Sequence, residues 1–226
     1  MKPVILHDQA LTPDGRPMTL SEHDGAFTIR VAGVELMTTR QHHSEEQLAR
    51  VACEPLRDTR AARVLIGGLG FGYTLRAALG ILRRDAVVTV VEIMPAVVAW
   101  NRERAYGLAG DALEDPRVEV VIGDACDVLG RHRSAFDAVI LDVDNGAEAL
   151  TTAFNGRLYS ASGVARAHAA LRPGGLLAVW SAAAEPAFVE RMRRVGFTVT
   201  TERARLHAGG TKSRGRGQAH LIVGRR

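Results

Sequence analysis

Two short runs near the start of the chain alternate between apolar and polar positions. Ala26-Phe27-Thr28-Ile29-Arg30-Val31 and Val34-Glu35-Leu36-Met37-Thr38 flank Ala32-Gly33. A period of two around a glycine turn predicts a β-hairpin. Beyond it, Leu48, Val51 and Ala52 fall on one helical face. Ser44 is placed to cap that helix, and Glu45 and Glu46 suit its first turn. From residue 63 the pattern changes. Segments 63–67, 86–91, 118–122, 138–141 and 176–180 are aliphatic with little alternation, as strands buried on both faces are. Segments of helical period lie between them at 73–84, 95–106, 126–131 and 162–171, which predicts a parallel sheet with crossover helices. Pro95 suits a first helical turn, and Pro173-Gly174-Gly175 predicts a turn before the fifth strand. After a helix near 185–195, segments 197–201 and 220–223 predict an antiparallel pair that closes the sheet. The reading is an α/β fold: a Rossmann-like sheet ending in an antiparallel hairpin, with a small N-terminal hairpin and helix. The division is 1–55 for the small unit and 56–226 for the sheet.

Composition narrows the classes. The 226 residues suit one domain with a small appendage, and 46% hydrophobic with 24% charged residues is ordinary globular composition. No apolar run approaches a membrane span, and the opening Val-Ile-Leu stretch is too short for a signal peptide. The expectation is a cytoplasmic protein with no membrane partner. Cys53 and Cys126 are far apart in sequence and form no CxxC, so neither a disulfide framework nor a zinc knuckle is predicted. The net charge is +4, with Arg191 to Arg226 holding ten basic residues against Glu202 alone. No aromatic residue interleaves with Lys212, Arg214 and Arg216. That segment therefore reads as solvated charge rather than a nucleic-acid surface.

The chemistry gathers where the predicted strands end. Gly67-Gly68-Leu69-Gly70-Phe71-Gly72-Tyr73-Thr74 follows the first parallel strand and opens the next helix. Glycines there permit φ > 0 and close backbone approach to a ligand, and unpaired N–H groups at a helix start suit a carboxylate or phosphate. A dinucleotide fingerprint needs a third small residue where Tyr73 stands, so the loop suits S-adenosyl-L-methionine (SAM) better than NAD. Glu92, with Ile93 after it, ends the second strand and is placed to accept hydrogen bonds from ribose hydroxyls. Asp124 and Ala125 follow the third strand; Asp124 either meets an adenine amino group or caps the next helix. Asp142 and Asp144 end the fourth. Strand carboxyl ends are where open α/β sheets bind ligands, and the four in succession point to an adenosine ligand. Gly68, Leu69, Gly70, Gly72, Glu92, Ile93, Asp124, Ala125 and Asp142 form the expected binding set. Adjacent His42 and His43 do not share a helix face, and no metal is expected.

The set 67–74, Val91-Glu92, Gly123-Asp124-Ala125, 136–142, Leu158-Tyr159-Ser160 and Leu171-Arg172-Pro173-Gly174-Gly175 resembles the spermidine synthase-like branch of class I SAM-dependent transferases. The resemblance implies a small N-terminal β unit on a Rossmann-like domain, and a homodimer. It also exposes departures. The first-loop aspartate that selects decarboxylated SAM in that family falls on Gly70. The Asp-x-x-Asp-Pro loop becomes Asp142-Val143-Asp144-Asn145-Gly146, the hairpin glutamine becomes Leu36, and Tyr-His-Glu becomes Ser44-Glu45-Glu46-Gln47. From these departures the expectation is a methyltransferase that uses SAM on a small-molecule acceptor. Asp142 is the expected base or amine-orienting group, with Asp144, Tyr159 and residues 41–43 in the acceptor pocket. Two alternatives stay open: a polyamine aminopropyltransferase using decarboxylated SAM, and a non-catalytic SAM-binding protein.

Overall fold

Four strands, β1 (Ile5–Leu11), β2 (Pro17–His23), β3 (Ala26–Val31) and β4 (Val34–Thr38), pair antiparallel in chain order. The computed structural model describes residues 3–143, 152–204 and 219–226, with 152–155 as backbone only. Asp144 and the basic segment 209–217 lie outside the described residues. The predicted hairpin is β3–β4, closed by Ala32 and Gly33, both at positive φ. Such two-residue turns match the twist of the strands they join. Strands β1 and β2 add to it, so the N-terminal unit is a full sheet rather than a lone hairpin. Met18, Leu20, Ile29 and Val31 are its buried face.

Helix α1 (His43–Cys53) begins one residue before Ser44. The N-cap position is His42, without a side-chain cap, and Ser44 donates instead to Glu45 Oε2 at 2.5 Å. Helix α1 packs on α2 (Tyr73–Ile81) and reaches strands of the larger sheet, although the division at residue 55 groups it with the hairpin.

The larger sheet takes β5 (Arg63–Gly67), β6 (Val87–Glu92), β7 (Val118–Ile122), β8 (Phe136–Leu141), β9 (Leu171–Ser181), β10 (Thr198–Ala204) and β11 (Ala219–Arg225). Their order is β10-β11-β9-β8-β5-β6-β7, parallel from β9 to β7 and antiparallel at β11 and β10. Helices α3 (Pro95–Arg102), α4 (Ala125–Gly130), α5 (Thr152–Tyr159), α6 (Ala161–Ala170) and α7 (Pro186–Val195) complete the chain. The lack of alternation has its physical cause here. Val64 and Ile66 join one core with the N-terminal sheet, α1 and α2, while Leu65 joins a second core with α4, α6 and α7. Burying each such side chain contributes roughly 1.5–3 kcal/mol. The Pro173–Gly175 turn lies inside β9. Phe136 pairs with Leu171 and Ala138 with Leu176, so the intervening residues bulge outward. The direction of build-out reverses at β5, with β6 on one side and β8 on the other. Open sheets of this kind bind ligands at that reversal.

Candidate functional site

A cleft of about 850 Å³, open to solvent, lies at the carboxyl ends of β5, β6, β7 and β8. Its floor is the loop after β5. Gly68 sits at φ +92° and donates its N–H to Val91 O at 2.8 Å. A side chain there would overlap the Asp142 carbonyl, which is why glycine stands at this position. Gly70 also lines the cleft, and a Cβ on it would lie 3.3 Å from Met37 Sδ. Gly72 caps α2 at φ +77° against Ala109 and does not line the cleft. Leu69 is buried, and its contribution to the site is its N–H rather than its side chain.

Glu92 holds that loop. Its Oε2 accepts from Leu69 N–H and its Oε1 from Met94 N–H, both at 2.8 Å. The side chain is buried yet lines the cleft. Burial pushes the carboxyl above its ordinary 4.5, and the backbone N–H groups pull in the opposite direction. The N–H groups of Ile93 and Gly70 also act on this carboxylate, so a ribose hydroxyl would share it with the backbone. Asn101, absent from the expected binding set, works from the other side. Its Nδ2 donates to Gly70 O and to Val97 O, each at 2.8 Å, and it is 4% exposed. Helix periodicity places Asn101 on a buried face, and a buried amide in a helix is the one sequence signal that marks it.

Asp124 caps α4 by accepting from Cys126 N–H at 2.7 Å, and accepts from Arg157 of α5 at 2.7 Å. Ala125 and Ile93 line the cleft beside it. Asp142 lies across the loop, its backbone N–H donated to Gly67 O at 2.8 Å and its Oδ2 accepting from Thr74 Oγ1. Leu158 faces the cleft. Tyr159 lies next to it with its ring edge-on to Phe188 at 5.2 Å and its hydroxyl 3.5 Å from Val143 O. The small sheet supplies a further wall through Thr12, Pro13, Met18, Ile29, Leu36 and Met37. Nothing local in the sequence marks Thr12 and Pro13, because topology alone brings the β1–β2 loop here. The seam between the sheets is closed by Trp100 Nε1–H donating to Asp8 at 2.6 Å, and by Tyr106 against His7 and Phe27. The arrangement offers a glycine loop whose Gly68 and Leu69 N–H groups are bound within the chain, the buried Glu92 carboxylate, and the carboxylates of Asp124 and Asp142 on the lining.

Residues 42–191 match the family model of the spermine/spermidine synthase domain. The chain is 32% identical over 179 residues to a polyamine aminopropyltransferase of Mycobacterium tuberculosis, covering 74% of this chain and 32% of that protein. A polyamine aminopropyltransferase of Synechococcus sp. is 32% identical over 139 residues, covering 62% of this chain and 43% of that one. The chain spans about a third of the length of the first of these relatives. Among solved structures, a spermidine synthase in complex with the transition-state analogue AdoDATO has a TM-score of 0.77 at 19% identity, covering 97% of this chain and 73% of that one. The spermidine synthase of Thermotoga maritima gives 0.75 at 16%, covering 97% and 72%. These two likenesses establish the shared fold. The sequence matches overturn the expectation of a methyltransferase using SAM: the matched domain and both relatives are named for polyamine or aminopropyl chemistry. The departures at Gly70 and in the Asp142 loop carry less weight than that expectation placed on them. Gly70 leaves the loop after β5 in place against Met37, and residues 144–146 lie outside the described residues.

Proposed function

The chain belongs to the spermine/spermidine synthase domain family, and from that premise we propose that it transfers an aminopropyl group from decarboxylated SAM to an amine of a polyamine. The observation that carries this reading is the cleft itself. Glu92 and the Gly68–Gly70 backbone suit the nucleoside half of the donor, and Asp142 stands beyond them where the acceptor would enter. In the reaction the amine nitrogen attacks the aminopropyl carbon next to the sulfonium. The N–C bond forms, the C–S bond breaks, methylthioadenosine leaves, and the amine gives up a proton. Asp142 orients the attacking nitrogen and accepts that proton. Its bond from Thr74 fixes the carboxylate for the task.

The test is incubation with decarboxylated SAM and putrescine, a parallel reaction with intact SAM, and mass detection of products. Methylthioadenosine and spermidine are expected from the first reaction alone. Donor binding without turnover, across diamines and triamines, would support a non-catalytic binder instead.

Glu92 gives a second measurable outcome. Hydrogen bonds to a charged group contribute roughly 1.5–3 kcal/mol each, so Glu92→Ala should weaken donor binding by at least ~10-fold in calorimetry. Ribose hydroxyls donate to the ionised carboxylate, whereas burial favours its protonated form. Donor binding therefore releases a proton wherever Glu92 is protonated in the free chain, and tightens as pH rises until the raised carboxyl has ionised. Affinity independent of both pH and the substitution would remove Glu92 from the donor site.

A further inference from the structure

His42, His43 and Glu46 stand apart from the cleft residues, at the start of α1. Adjacent histidines on a continuous helix diverge. Here His42 is not helical: at φ −145°, ψ −2° it sits one position outside α1, and its ring turns back over the first turn. As a result one ligand atom from each of the three residues lies within 4.8 Å of the others. His42 Nδ1 and Glu46 Oε1 are 2.9 Å apart. Two ligands held at about 2.0–2.2 Å from one tetrahedral ion are separated by roughly 3.3–3.6 Å, so binding would open this contact by about half an ångström. The His42 ring is also held in place. It stacks on Tyr73 at 4.3 Å and 14°, and the Tyr73 hydroxyl donates to Thr39 O at 3.2 Å. The pair is about one-third exposed on each side, so an ion has a route in.

We propose that His42, His43 and Glu46 form a binding site for a divalent transition-metal ion of the zinc, nickel or cobalt kind. Two imidazoles and one carboxylate suit borderline ions rather than magnesium or calcium, which take oxygen ligands. Three protein ligands leave coordination positions for water or a further group. Binding replaces the His42–Glu46 hydrogen bond with two metal–ligand bonds and ties the turn after β4 to α1. Tyr73 follows the glycine loop directly, so the ion would sit one residue behind the cleft floor.

The experiment is calorimetric titration of the untagged, chelator-treated chain with zinc chloride, and in parallel visible spectroscopy with cobalt chloride. One zinc per chain is expected, with a Kd below about 10 μM. The cobalt complex should show bands of nitrogen and oxygen coordination without sulfur charge transfer, since Cys53 and Cys126 are buried elsewhere. His43→Gln and Glu46→Gln should each weaken zinc by at least ~10-fold with unchanged circular dichroism. His7→Gln, which removes the His7–Glu22 pair, should leave it unaltered. Absence of saturable binding up to millimolar zinc overturns the proposal. So does a cobalt spectrum with sulfur bands, or undiminished affinity in both ligand variants. None of these readouts depends on aminopropyl transfer, so the two readings fail separately.

Discussion

Asp142→Asn should leave the chain folded and the donor bound, and should lower turnover by about 10²–10⁴-fold, the usual contribution of a positioned proton acceptor. Asparagine keeps an oxygen that can accept from Thr74 Oγ1, so the local geometry survives. On the proposed reading it loses the negative charge that would hold an amine and the basicity that would take its proton. Methylthioadenosine release at saturating donor measures the first consequence, and donor titration checks that binding is retained. A drop in turnover that disappears at high pH, where the amine is already neutral, would identify proton removal as the lost step. Wild-type turnover in the variant at neutral pH would take Asp142 out of the chemistry.

Gly68→Ala is expected to be strongly damaging for a single methyl group. At φ +92° an L-residue is strained, and the new Cβ would overlap the Asp142 carbonyl oxygen and lie 3.0 Å from its carbonyl carbon. Both partners are backbone, so no rotamer change relieves the clash. Strain and overpacking together predict a loss of about 3–5 kcal/mol in denaturant unfolding. Gly33 supplies the control. It has φ +82° and open space for 4 Å around an added methyl group, so Gly33→Ala carries only the strain, about 1–2 kcal/mol. Equal losses at the two positions would show that the approach of β5 to the end of β8 is looser than the geometry describes.

The larger sheet is legible in the sequence because its strands are buried on both faces. Arg63–Gly67 and Phe136–Leu141 carry that burial in their composition. Strand β1 is not legible, because it is an edge strand whose Ile5, Leu6 and Leu11 are exposed. Its residues answer to one neighbour and to solvent, so no period emerges. Strand β2 does carry a signal at its end: Asp24-Gly25 is a hairpin dipeptide, and both residues sit at positive φ between paired His23 and Ala26. In the site, the glycine loop and the strand-end acids are readable because a ligand-binding turn needs those residue types in that order. The hydrogen bond from Asn101 to Gly70 spans 31 positions and the Arg157–Asp124 pair spans 33. Such partners are set by how helices lie over strand ends, which a local pattern does not encode. For His42 and His43 the cause is different. The argument that adjacent histidines diverge holds only inside a helix, and His42 stands one residue before α1 begins.

The two sheets share no strand, yet both furnish walls of one cleft. A molecule lodged there is in contact with Met18, Ile29 and Met37 on one side and with the glycine loop on the other. It thus becomes a rivet across the seam that Trp100 and Asp8 otherwise hold. The buried face of the small sheet shares one core with β5, α1 and α2, so its stability rests on that contact. Its independent fraying is opposed by any ligand that needs both walls, by RT ln(1 + [L]/Kd). Occupancy of the cleft therefore sets whether the chain melts as one cooperative block or opens first at its N-terminal edge.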